Sequence, residues 1–143
     1  MPSKDMIGRH LSTGTASVSA EHVAAFADAL GDPDPRYRGP GAVAPPTYPI
    51  AFMIQAMAGG ADTFGELGLD FATLVHGEQE FEYVRPIRAG ETLTLTGRIG
   101  DIYEKQSSSG ATLDFVVLET EGTDGGGATV FLSRNVLISR RAS

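Results

Sequence analysis

Three things are scarce in this sequence, and each scarcity removes a class of chemistry. There is no cysteine among the 143 residues, which excludes disulfide frameworks, thiolate zinc sites and cysteine nucleophiles together. Positive charge is short: 11 Lys and Arg against 18 Asp and Glu leave a net charge of −7. A nucleic-acid backbone or an anionic membrane surface rewards clustered cations, so neither is an expected partner. A phosphorylated small molecule needs only a few local cations and remains compatible with this balance. Long apolar runs are the third absence. The longest builds on "IAFMI" and reaches about a dozen positions, against roughly 20 for a bilayer span. The opening "MPSKDMIGRH" turns polar at once, without a charged-then-apolar leader, so the cytoplasm is the expected location. The three histidines show no ligand spacing, and no metal site is expected.

What is present reads as one globular domain over residues 1–143. Hydrophobic residues make up 41% and charged residues 20%, enough to bury a core and too apolar for a disordered chain. There is no internal repeat and no heptad run. "SVSAEHVAAFADALG", residues 17–31, predicts a surface helix. Ser19 can cap it, Glu21 suits its positive first turn and Gly31 can close it. Val23, Phe26, Ala27 and Leu30 follow the spacing of one buried face. A second helix of another kind starts with Thr47 as a plausible cap and Pro49 in its first turn, and ends at the "GG" of 59–60. From Ile50 to Ala58 only Gln55 is polar, so no face is left for water and the rest of the domain must enclose it.

The remainder is strand. "EQEFEYVRP" and "GETLTLTGRIGDIYE" alternate polar and apolar positions, with Leu93, Leu95 and Ile99 sharing a face. Glu78, Glu80 and Glu82 alternate onto one face, a solvent-facing pattern. "ATLDFVVLETEG" and "ATVFLSRNVLIS" are rich in residues that suit half-buried strands. The connections "KQSSSGAT" and "EGTDGGGAT" read as hairpin turns, with Asp124-Gly125 the sharpest signal. Strand, helix, buried helix and four or so antiparallel strands make an α+β domain. Its long curved antiparallel sheet has to wrap round one central apolar helix.

Between the helices lies "GDPDPRYRGPGAVAPPTYP", residues 31–49, which holds six of the eight prolines. Prolines at such density lower the entropy of the unfolded chain and hold an irregular path rigid. With "VSAEHVAAFADALGDPDPRY", "APPTYP", "VHGEQEFEYVRPIRAGETL" and the strands that follow, the chain resembles the MaoC-like hot-dog family. The match is to its N-terminal dehydratase-type branch, relatives of (R)-specific enoyl-thioester hydratases and 3-hydroxyacyl-thioester dehydratases.

The resemblance implies reversible hydration of a 2-enoyl thioester of coenzyme A or an acyl carrier protein. No separate cofactor is implied, since coenzyme A or phosphopantetheine belongs to the substrate. It implies a homodimer, or a heterodimer with a second hot-dog subunit, with the acyl-thioester site near the subunit interface. In catalytic members the loop has the form Gly-Asp-x-Asn-Pro-x-His, and its Asp and His share the acid and base roles. Here Gly31, Asp32 and Pro35 match, Asp34 stands for the Asn, and Tyr37 occupies the histidine position. An ordinary phenol, with a pKa of about 10, is ionised in about one molecule in a thousand at pH 7. A base that is worth about 10²–10⁴ in rate would lose most of that benefit.

Tyr37 is therefore either a packing residue or a weakened catalytic group. Asp32 is either a catalytic carboxylate or a turn former. His76 is the one histidine near the expected core strands and a candidate base, whereas His10 and His22 read as solvated surface residues. Pro46, Thr47 and Tyr48 lead into the enclosed helix, whose first N–H groups would face a thioester carbonyl. Arg85, with Arg36 and Arg88, is a candidate phosphate contact. Two further readings stand: a non-catalytic acyl-CoA or lipid-binding module, and a thioesterase, because a fold does not settle an activity.

Overall fold

The computed structural model describes residues 2–52 and 65–141. Five strands, β1 (His10–Ser17), β2 (Val75–Tyr83), β3 (Thr92–Gln106), β4 (Thr112–Thr123) and β5 (Thr129–Arg140), make one antiparallel sheet. Their order is β1-β3-β4-β5-β2. The chain lays down one edge, crosses the inner face through α1 (Ala20–Ala29) and the proline-rich loop, and returns as the opposite edge. Only then does it fill the middle with β3, β4 and β5, joined by the two turns expected from sequence. In the second turn Asp124 Oδ1 accepts hydrogen bonds from the Gly126 and Ala128 amides. Gly127, at φ +81°, takes the left-handed position there.

Bulges and missing side chains shape the sheet. β3 runs for 15 residues and shifts register between Ile99 and Asp101. The bulge at Gly100 bends the strand and brings both Ile99 and Ile102 into the same apolar cluster. At Gly122 a Cβ would fall 2.2 Å from Phe131 Cε1. Gly122 and Phe131 are direct cross-strand partners, so the absent side chain is the space the ring occupies.

Two apolar clusters pack on the inner face. One joins Val23 of α1 to Tyr48, Phe52, Ile87, Leu93 and Phe131. The other joins Leu67 and Leu69 to Ile99, Ile102, Val116 and Leu137. Leu93 and Ile99 are buried and Leu95 packs against the first cluster, as the alternation predicts. Ser19 caps α1, its Oγ accepting from the His22 amide at 3.1 Å. Leu30 corrects the predicted face: it is 54% exposed. α1 has ended before it, and Gly31, at φ +71°, turns the chain aside.

The second helix is described only at its start, where residues 50–52 are helical and Phe52 is buried. The rest of the all-apolar stretch, with Gln55, lies outside the described residues. Thr47 is not the side-chain cap expected. The entry is a tight run in which Ile50, Ala51 and Phe52 amides bond to Thr47, Tyr48 and Pro49 carbonyls three residues back. Three-residue closure of this kind is frequent at helix starts.

Candidate functional site

The loop after α1 is fixed by its own polar groups. The Asp32 amide donates to Ala27 O, and Asp32 Oδ1 accepts from the Asp34 amide at 3.0 Å. Asp34 then caps a single 3₁₀ turn, Pro35–Tyr37, accepting from the Arg36 amide at 2.9 Å. Its carboxylate also holds the Arg36 guanidinium. That side-chain contact, with the backbone bond, keeps the Asp34 carboxyl below its ordinary pKa. Arg38 closes the arrangement. It donates to Asp34 O at 2.8 Å and Asp32 O at 2.9 Å, and it pairs with Asp28 of α1.

Further on, the loop runs beside residues 87–89. Ala44 N–H donates to Ile87 O and Ala89 N–H to Ala42 O, both at 2.8 Å. Tyr83, at the end of β2, donates its hydroxyl to Pro46 O at 2.5 Å. Burial pushes that phenol up to about 12, so it stays a proton donor across the working pH range. The gap between loop and β2 end is a cavity of about 490 Å³ lined by Tyr37, Pro46, Tyr83, Val84, Arg36 and Arg85, among others. A larger hollow of about 880 Å³ lies on the exposed face of the sheet. Both of its arginines are already paired, Arg98 with Glu119 and Arg134 with Glu78 and Glu80. The smaller cavity is the one that gathers residues singled out from sequence.

Of those residues, Tyr37, Pro46 and Arg85 meet at this cavity. Asp32 is one turn away, with a carboxylate oxygen committed to the loop. Tyr37 also packs against the inner apolar cluster. Arg85 is bound by Glu91 at 2.7 Å and Asp124 at 3.5 Å. Arg36 is 74% exposed beyond its own pair. Arg88 gives its amide to Glu91 and, through its backbone, bridges Val43.

Thr47 is exposed, and Tyr48 is a core residue, fully buried against Phe26 and Phe52. His22 is not simply solvated: its Nδ1 lies 2.7 Å from the Tyr48 hydroxyl, with the rings edge-on. His10 is exposed and bonds Thr13. His76 is exposed on β2, roughly 20 Å from Tyr83 at a rise of about 3.3 Å per residue. It is not among the residues that line the cavity.

Sequence reasoning passed over Arg38 and Tyr83, the two residues that hold the loop to α1 and to β2. The signal for Arg38 was its place four residues after Asp34 in an acidic turn. Tyr83 gave none beyond strand alternation. It also passed over Gln79 and Asn135, cross-strand partners on the inner face whose Oε1 and Oδ1 are buried without a hydrogen-bond partner among the described residues.

An antiparallel sheet with α1 packed on its inner face, and a proline-rich loop leading into the start of a second helix, defines a hot-dog fold. The chain belongs to the FAS1-like dehydratase domain region family, whose model matches residues 5–133. Among its relatives is a UPF0336 protein of Streptomyces avermitilis, 37% identical, with the match covering 91% of this chain and 89% of the relative. A UPF0336 protein of Thermobifida fusca is 40% identical over 68% of this chain and 69% of its own length.

Solved structures agree on the fold. The C-terminally truncated HadBC (3R-hydroxyacyl-ACP dehydratase) complex of Mycobacterium tuberculosis superposes with a TM-score of 0.77 at 22% identity, covering 94% of this chain and 98% of that one. The unliganded R-hydratase PhaJ1 of Pseudomonas aeruginosa gives 0.65 at 15%, covering 95% and 83%. No helix among the described residues is long and apolar enough to cross a membrane.

Proposed function

We propose that the chain works on 2-enoyl or 3-hydroxyacyl thioesters of coenzyme A or an acyl carrier protein, as a non-catalytic or partly active half of a two-subunit hydratase/dehydratase. The observation that carries this is Tyr37. The loop around it is built and fixed, it lines the cavity beside β2, and it puts a phenol where hydration calls for an imidazole. In that reaction water adds its oxygen to C3 and a proton arrives at C2, so one group must take a proton and another must give one. Asp32 remains as a carboxylate but is held in the turn, and His76 does not line the cavity. The cavity would then serve acyl or pantetheine contact, with Arg36 as the more available cation for a phosphate. The HadBC and ChsH1-ChsH2 complexes of Mycobacterium tuberculosis support an assembly of two such subunits.

The test is an enoyl-CoA hydration assay on the wild type and on Tyr37→His, each measured alone. Slow or absent turnover in the wild type, with a gain of at least tenfold in the variant, supports the reading. Enzyme-like turnover by the wild type alone overturns the partner role. A non-catalytic acyl-CoA binder is the second reading, favoured by the commitment of Asp32 to its turn. Tight acyl-CoA binding with no hydration by either protein, alone or with any second subunit, would select it. Release of free thiol would indicate a thioesterase instead.

A further inference from the structure

We propose that Asp124-Gly125 is a site of self-modification, where the Asp124 side chain closes on the Gly125 amide and reopens as isoaspartate. The folded turn guards it, and Arg85 ties that guard to the candidate site. This goes beyond the thioester reading and stands without it.

Asp124-Gly125 is the single Asp-Gly pair in the sequence, and there is no Asn-Gly. Gly126 and Gly127 follow it in the turn between β4 and β5. Glycine puts no side chain beside its own amide and leaves the backbone free to bring that nitrogen toward the preceding carboxyl. A Cβ at Gly125 would meet nothing within 4 Å, and its φ is not positive. Neither packing nor backbone geometry therefore requires glycine there.

The hydrogen bonds of the turn single out the same nitrogen. The Asp124 amide donates to Ala128 O and the Gly127 amide to Asp124 O. The Gly126 and Ala128 amides donate to Asp124 Oδ1. Among the described residues, no acceptor takes the Gly125 amide.

The step needs no second reagent. The Gly125 nitrogen bonds to Asp124 Cγ and loses its proton, while the carboxyl gives up one oxygen as water. Water then opens the cyclic imide at either carbonyl. Opening at Cγ restores aspartate; opening at the former backbone carbonyl leaves the chain running through Cγ, as isoaspartate.

A carboxylate resists that attack, because the departing oxygen must carry a proton. The Ala128 and Gly126 amides, and then Arg85, hold the Asp124 carboxyl below its ordinary pKa. They also pin both oxygens, Oδ1 on the two amides and Oδ2 on Arg85 at 3.5 Å. Conversion is therefore slow in the folded turn and faster once it opens. Isoaspartate adds a methylene to the chain path, which breaks the Thr123–Thr129 register and takes the carboxylate from Arg85. Arg85 lines the cavity with Tyr37, so chemical age in the last turn reaches the candidate site.

The experiment incubates the full chain near pH 5, folded and in urea, beside folded Arg85→Gln and urea-unfolded Gly125→Ala. Peptide mass spectrometry with electron-based fragmentation separates isoaspartate from aspartate at position 124 and detects the imide as loss of water. We expect the unfolded wild type to convert about tenfold faster than the folded one, and folded Arg85→Gln to gain about threefold or more. Gly125→Ala should convert far more slowly, because its Cβ crowds the attacking nitrogen. In the unfolded wild type the rate should fall as pH is raised toward about 8 and the protonated carboxyl disappears.

The proposal is overturned if folded and unfolded wild type convert equally. It is overturned equally if folded Arg85→Gln converts no faster than wild type, or if Gly125→Ala matches wild type in urea. The folded-against-urea comparison needs no variant, so it decides the matter even if Arg85→Gln fails to fold.

Discussion

At the scale of single residues, the loop shows how much can hang on one hydroxyl or one guanidinium. Tyr83 ties the end of β2 to Pro46. Tyr83→Phe should therefore lower stability by about 1 kcal/mol, the usual net worth of such a bond. A urea midpoint shift without a change of slope would show it, and residues 44–48 should exchange their amides faster. Sequence made the candidate site only half legible. The motif in "GDPDPRY" was readable because Gly, Asp and Pro dictate local geometry, and the structure builds that geometry from those residues. Tyr48 was not readable in the same way. Its place in "APPTYP" suggested a surface facing substrate, yet its ring fills the core and its hydroxyl meets His22. Periodicity says which side of a helix is buried, but not that a polar tip on the next element will reach across to it.

Individual elements were more legible, because period and punctuation are written along the chain. α1, β3, β4 and β5 fall within two or three residues of their predicted bounds, and Ser19 caps as its type and place predict. Ser19→Ala should cost about 1 kcal/mol, read as a lower thermal midpoint with unchanged far-ultraviolet signal in the cold. Gly122→Val should cost more, about 1–3 kcal/mol, because the new side chain needs the space of the Phe131 ring. If the Phe131→Ala background makes Gly122→Val harmless, the clash is confirmed as the cause. The elements that misled did so where tertiary context overrides local signal. Thr47 had the chemistry of a cap, but its backbone carbonyl takes the Ile50 amide, and Leu30 kept helical spacing after the helix had ended.

At the scale of the whole molecule, long-range charge pairs tie the turn regions together. Arg85, just past β2, holds Glu91 before β3 and Asp124 in the last turn. Burial would raise the Glu91 carboxyl, but the bonds from Arg85 and the Arg88 amide outweigh it and hold the pKa below its ordinary value. The Ala128 and Gly126 amides, and then Arg85, do the same for Asp124. A carboxyl with a lowered folded pKa binds fewer protons folded than unfolded. Its contribution is therefore complete above the ordinary carboxylate range and is lost as pH falls below about 4. Urea midpoints should thus drop on acidification through that window, and drop less in Glu91→Gln/Asp124→Asn; an equal acid dependence in the two proteins would contradict the assignment.

Among the described residues β2 is an edge of the sheet, which bears on how the chain survives before it meets anything. A bare strand edge invites any extended apolar segment released during synthesis. The three glutamates, exposed beside Val75 and Val84, act as gatekeepers against that capture. Neutralising them should lower the yield of dispersed protein and favour inclusion bodies, even where the native fold loses nothing.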